Sequence, residues 1–216
     1  MLIAGIDEAG RGPCMGPLVM AVAVIDQKDE EKLLELGVKD SKMLSAAERN
    51  VQFPQIKKLV KEHGTFHISP QEIDSLRDWK SLNEIEAMRA AHLLNALKHK
   101  PDMVFVDSPD ILQDNFGKRI EKFLSFNVKI RSEHKADVNY PVCSAASILA
   151  KVERDAAIAE LAKEFGKIGS GYPSDEVTVA FLHNWLKSHS GMPPFVRHSW
   201  DTTKRVLDSK FQQRLV

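Results

Sequence analysis

Leu2-Ile3-Ala4-Gly5-Ile6-Asp7-Glu8-Ala9-Gly10-Arg11-Gly12-Pro13-Cys14-Met15-Gly16-Pro17 is an apolar run that ends in two adjacent carboxylates and a glycine loop. Leu2 to Ile6 reads as a buried strand, since it contains β-branched residues and a turn signal follows at once. Side chains alternate across a strand, so neighbours such as Asp7 and Glu8 point apart while the strand stays regular. If both acids are to serve one site, the strand must break at Glu8. The glycines at 10, 12 and 16 permit such a bend, because glycine adopts backbone angles closed to other residues.

A glycine-rich loop after a strand also suggests dinucleotide binding, but the spacing here is G-x-G-x-x-x-G instead of G-x-G-x-x-G. Pro13 and Pro17 oppose a helix inside the loop, and Leu18 to Ile25 reads as a second strand that pairs with the first. Dinucleotide binding is therefore excluded. A plain hairpin with two solvated acids does not explain carboxylates placed directly after a buried strand.

Farther along, three Ser-x-x-Glu patterns announce helices in which the two side chains cap each other's amides: Ser45 with Glu48, Ser69 with Glu72 and Ser81 with Glu84. Thr65 to Ile68 reads as a third strand. Met103-Val-Phe-Val-Asp107 is a fourth, and it too ends in a carboxylate. A helix over 111–124 and a strand over 128–131 complete a βαβ unit, so its two strands should be parallel. Beyond them come helices over 142–165 and 174–189 and a last one from about Asp201. The expectation is an α/β fold with a mixed five-stranded sheet flanked by helices and a helical C-terminal region. The whole of 1–216 is expected to be a single catalytic domain, with a core over 1–165 and an extension over 166–216.

In open α/β sheets, sites form beyond the carboxyl ends of the strands. Asp7 and Asp107 occupy that position, and Asp137 follows the last strand closely. Clustered carboxylates persist only when protonated or neutralised by cations. Hard oxygen donors without Cys or His select magnesium or manganese, and two such ions are a common apparatus for phosphodiester cleavage. No H-E-x-x-H, G-x-S-x-G or Walker pattern occurs.

Composition sets the bounds. The chain has 216 residues, 43% hydrophobic and 28% charged, as in ordinary globular proteins. No apolar run approaches the roughly 18 residues that span a membrane. Cys14 and Cys143 alone make no disulfide framework, which fits a reducing, cytoplasmic setting. Formal net charge is zero, although residues 187–216 hold six Lys or Arg against two Asp.

Taken in order, Asp7-Glu8-Ala-Gly10-Arg11-Gly12-Pro, Asp40-Ser-Lys42, Val104-Phe-Val-Asp107, Lys135-Ala-Asp137, Ser144-Ala-Ala-Ser147-Ile-Leu-Ala-Lys-Val-Glu-Arg154-Asp155 and Gly169-Ser-Gly-Tyr172-Pro173 resemble type 2 ribonuclease H (ribonuclease HII), particularly its short archaeal forms. The resemblance implies the ribonuclease H-like fold and metal-dependent endonuclease action on RNA–DNA hybrids and on duplex DNA with embedded ribonucleotides. It implies that Asp7, Glu8, Asp107 and Asp137 are the metal-binding acids, served by two Mg2+ or Mn2+ ions. Gly10-Arg11-Gly12 falls on the loop that meets the ribonucleotide's 2′-hydroxyl, Tyr172 on the tyrosine at the RNA–DNA junction, and Lys42 on a phosphate contact. Cleavage is expected 5′ of the ribonucleotide, leaving 3′-hydroxyl and 5′-phosphate ends, by a protein that acts as a monomer. The tail Gln212-Gln-Arg-Leu215-Val216 resembles a sliding-clamp peptide that stops before the expected aromatics. The alternatives are a same-fold DNA resolvase or exonuclease and a non-catalytic nucleic-acid-binding module. DNA offers no 2′-hydroxyl to read, so the glycine loop paired with Tyr172 favours the ribonuclease. Asp155, on the apolar face of its helix, is expected to be buried against an arginine or a backbone amide.

Overall fold

The computed structural model describes residues 1–38 and 43–213. Five strands, β1 (Leu2–Ala9), β2 (Leu18–Asp26), β3 (Glu62–Ile68), β4 (Met103–Asp107) and β5 (Lys129–Glu133), form one sheet in the order β3-β2-β1-β4-β5. β1 runs antiparallel to β2, and β1, β4 and β5 are mutually parallel. The sheet is therefore mixed, as expected, and the 103–133 segment is a βαβ unit. β1 and β2 are buried on both faces, which is why they read as continuous apolar runs and not as alternating ones.

The break expected at Glu8 is absent. Pairing with β2 continues through Asp7↔Ala21, Glu8↔Met20 and Ala9↔Val19, whereas pairing with β4 stops at Ile6↔Val106. The physical reason lies in β2, whose nine residues give β1 a hydrogen-bonding partner along its whole length.

The helices are α1 (Glu31–Glu35), α2 (Ala46–Leu59), α3 (Pro70–Arg77), α4 (Leu82–Ala96), α5 (Asp114–Glu121), α6 (Ala136–Asn139), α7 (Pro141–Phe165), α8 (Glu176–Ser188) and α9 (Asp201–Gln213). Ser45 and Ser81 close full capping boxes with Glu48 and Glu84, and Ser69 accepts the Glu72 amide. Each such cap stabilises its helix by about 1 kcal/mol. After β5 the described chain carries only helices and loops, in line with the expected helical end.

Compactness divides the chain into two units that do not follow its order. The first comprises residues 1–9, 19–67 and 81–153; the second comprises 10–18, 68–80 and 154–216. In the first unit, β1 and β2 pack with the start of α7 through Ile3, Val19, Ala21, Val142, Ala145 and Leu149. In the second, Cys14 and Met15 join Ile168, Leu182, Leu186, Phe195 and Val206 in a separate core. Among the described residues, no helix is long and apolar enough to cross a membrane.

Candidate functional site

The acids lie in the first unit. Ile6 pairs with Val106, so Asp7 and Asp107, the next residue on each strand, stand level on adjacent parallel strands. β4 and β5 are in register through Asp107↔Glu133. Lys135 then takes φ 60°, the left-handed region that a non-glycine residue seldom enters, and turns the chain back. That turn brings the Ala136 amide to Asp107 Oδ1 at 2.8 Å and sets Asp137 beside it in α6. Asp7 and Asp137 are buried, and Asp107 and Glu8 are partly so.

α7 supplies the floor. A Cβ on Gly5 would lie 2.3 Å from the Val142 carbonyl carbon, so only glycine lets the start of α7 rest on the β1 backbone. Residues 5 and 7 share a face of the strand, and Ser147, farther along α7, hydrogen-bonds the Asp7 carboxyl. Lys151, one turn on, donates to Ser147 Oγ. Burial pushes the Asp7 pKa up to about 6; the charge of Lys151 and the Ser147 hydroxyl oppose the rise, and Asp107 and Asp137 add to it. Cys143 is fully buried and feels the charges of all three aspartates. Its thiol is pushed well up, first by burial and then by the charge of Asp7, so it remains protonated.

Three of the four expected acids thus come together electrostatically, Asp107 and Asp137 each acting on Asp7. Glu8 donates its amide to Asp7 Oδ1 at 2.7 Å. Glu133, level with Asp107, is engaged by Arg131 and Tyr140, and these hydrogen bonds lower its pKa. Among the described residues, no group of three or more His, Cys, Asp or Glu is disposed to hold a metal ion. The donor chemistry nonetheless suits a hard divalent cation, because the rise that burial, Asp107 and Asp137 impose on the Asp7 carboxyl is what such a charge relieves.

The glycine loop and Tyr172 lie in the second unit. Gly10 has φ 87° and Gly171 φ 84°, both left-handed. The Cys14 amide bonds Gly171 O at 2.8 Å, the Gly16 amide bonds Phe195 O at 2.8 Å, and Cys14 O accepts the Arg197 amide at 2.8 Å. A Cβ on Gly12 would stand 3.6 Å from Tyr172 Cε1, so the tyrosine ring lies against the loop. Tyr172 is 42% exposed, and Arg154 stacks its guanidinium 5.2 Å from the ring centre. Tyr140, by contrast, stacks on Phe105 and donates to Glu133, a packing role in the first unit.

Lys42 lies outside the described residues. Asp155 is a correction: its side chain is 46% exposed and meets Arg154 at 3.7 Å, while Arg154 itself is buried. The arginine partner was anticipated and the burial was not. Apolar spacing located the buried face of the helix but did not show that this face carries Arg154, which donates to Ser170 O at 2.7 Å. Ser147, Lys151 and Arg154 all stand in the motif run Ser144–Asp155, but no local pattern separates them from ordinary helix residues.

Comparison with known proteins bears on the whole chain. The family model described as Ribonuclease HII matches residues 4–203. A ribonuclease HII from Pyrococcus furiosus is 46% identical over 97% of this chain and 92% of its own length. The crystal structure of ribonuclease H2 from Pyrococcus horikoshii OT3 superposes with a TM-score of 0.93 at 41% identity, covering 99% of this chain and all of that one. The ribonuclease HII of a PCNA complex from Archaeoglobus fulgidus gives 0.85 at 39% identity, covering 93% of this chain and 96% of that one.

Proposed function

Because the chain belongs to the ribonuclease HII family, we propose that Asp7, Asp107 and Asp137, joined by Glu8 on the strength of the family match alone, are the catalytic acids with which it cleaves at ribonucleotides. The protein is an endoribonuclease acting on RNA–DNA hybrids and ribonucleotide-containing DNA. The observation that carries the site is the level placement of Asp7 and Asp107 on adjacent parallel strands, just past the point where the two strands cease to pair, with Asp137 brought alongside through the Ala136–Asp107 hydrogen bond.

Ribonuclease HII enzymes depend on divalent metal; in this reading the four acids hold two Mg2+ or Mn2+ ions. Bound there, the ions supply the positive charge that keeps the acids ionised together and offsets charge developing on the phosphate oxygens. Asp107 is held in place by the Ala136 amide and Asp7 by Ser147. Gly10, Arg11 and Gly12 meet the 2′-hydroxyl, Tyr172 stacks at the junction, and Lys42 contacts a phosphate. Water attacks the phosphorus in line as it gives up a proton, the bond to the 3′-oxygen breaks, and that oxygen takes up a proton to leave as a hydroxyl. The products are a 3′-hydroxyl and a 5′-phosphate that remains on the ribonucleotide. The 2′-hydroxyl is read and takes no part in the bond exchange.

The same reading takes 1–216 as one catalytic domain that works as a cytoplasmic monomer. A sliding clamp is its proposed partner, on the strength of the Archaeoglobus relative solved with PCNA. The test is incubation with magnesium and a duplex carrying one ribonucleotide, beside an all-DNA control. Nicking of the first alone, lost in Asp107→Asn, is the expected result. Nicking of both would favour a DNA resolvase, and of neither a binding module.

A further inference from the structure

Arg197 is the largest fully buried side chain of the described residues, and its guanidinium donates to the glycine loop. Its Nε donates to Gly16 O at 3.1 Å, Nη1 to Arg11 O at 3.2 Å, and Nη2 to Gly10 O at 2.7 Å and Gly16 O at 3.0 Å. Trp200, whose ring lies 4.7 Å from that guanidinium, donates its indole N–H to Gly12 O at 3.0 Å. Four peptide carbonyls of one loop, those of residues 10, 11, 12 and 16, therefore turn inward onto two side chains.

In a trans peptide the N–H points opposite to the C=O, and none of the described peptide bonds is cis. The units whose carbonyls face inward therefore aim the following N–H outward. Two of the four are followed by Pro13 and Pro17, which have no N–H. The other two supply the N–H groups of the consecutive residues Arg11 and Gly12, of which Gly12 lies against the Tyr172 ring. A buried cation on the carbonyl side also polarises both units, which strengthens their N–H groups as donors.

We propose that Arg197 is a positioning residue whose buried guanidinium orients and polarises the Arg11 and Gly12 amides into a donor pair for the 2′-oxygen of a ribonucleotide. The inference rests on the reading of this loop as the ribonucleotide reader. Burying an arginine only to pack a loop is an expensive solution, whereas the two prolines restrict the N–H groups opposite the bonded carbonyls to those of Arg11 and Gly12.

The test uses the full chain and fluorescence anisotropy in EDTA, which measures binding without cleavage. Dissociation constants are taken for a duplex with one ribonucleotide and for its all-DNA counterpart. In Arg197→Gln the preference for the ribonucleotide should fall by about tenfold, the loss of a hydrogen-bonding network centred on a charge, while affinity for all-DNA duplex stays within about twofold. Arg197→Lys, which keeps the charge but not the fork, should recover part of the preference. If Arg197→Gln does not fold by circular dichroism, Trp200→Phe carries the test, since it removes only the donor to Gly12 and should lower the preference by a few-fold. A folded variant that keeps the full preference, or one that loses affinity for both duplexes equally, overturns the positioning role, as does a parent protein with no preference to lose. Cleavage by the parent, measured in parallel, separates the two ideas: a parent that cleaves beside an unchanged variant refutes this inference alone. A parent that neither cleaves nor discriminates refutes the reading beneath it as well.

Discussion

At Asp7, burial and two neighbouring aspartates hold a carboxyl at about 6, above its ordinary 3.8. The folded state binds this proton more tightly than the unfolded chain does. The resulting stabilisation is full below 3.8 and is lost as pH rises through about 6. In metal-free protein the ionised carboxylate therefore costs about 3 kcal/mol at neutral pH, given 1.36 kcal/mol per unit. Asp7→Asn should melt above the parent at pH 8 in EDTA, with the gap closing as pH falls toward 4, and it should lose activity by about 10²-fold or more. A variant that melts below the parent at pH 8 would show that Asp7 is structural. Tyr172 belongs beside it as an exposed counterpart. Tyr172→Ala should lower kcat/KM by about tenfold, the value of one stacking contact, and Tyr172→Phe by less, with little change in Tm because the ring is 42% exposed. A loss that tracks thermal destabilisation would make it a packing residue. Asp7, Asp107 and Tyr172 stand out in the sequence because the ends of apolar runs and a turn-rich loop mark them locally. Arg197 could not, since arginine is rarely buried fully and its partners lie more than 180 residues away.

Among the elements, α7 and its seat on β1 control the geometry of the acids. Gly5→Ala would force a Cβ to 2.3 Å from the backbone of Val142, with no flexible side chain to yield. The expected cost is about 3 kcal/mol or more in urea unfolding, with reduced activity as Ser147 moves away from Asp7. Stability equal to the parent would mean that α7 does not depend on this contact. Glycine at this point looked like nothing more than a residue in a strand, because close approach is a tertiary property. The helix starts at Ser45, Ser69 and Ser81 were legible, since a capping box is built from residues three apart. The continuation of β1 past Glu8 was not, because it depends on the length of β2. Asp155 failed for a related reason: periodicity tells which stripe of a helix is covered, but not which charged residue at its margin is drawn in.

For the molecule as a whole, the family match and the sheet order agree with an α/β ribonuclease read from six short motifs. The division into two compact units was hidden, because residues 10–18, 68–80 and 154–216 belong together only in space. The acids fall in the first unit, and the glycine loop, Tyr172, Arg154 and Arg197 in the second. Net charge, being zero, said nothing of the substrate. The central claim is that metal-served acids direct water at the phosphate on the 5′ side of a ribonucleotide whose 2′-hydroxyl is only read. Mapping the ends formed on a duplex with one embedded ribonucleotide, with magnesium and with EDTA, tests it most directly. The expected products, formed only with magnesium, are a DNA fragment ending in a 3′-hydroxyl and a fragment beginning with a 5′-phosphorylated ribonucleotide. A break on the 3′ side of the ribonucleotide ending in a 2′,3′-cyclic phosphate would mean that the 2′-hydroxyl is the nucleophile, and would contradict the mechanism.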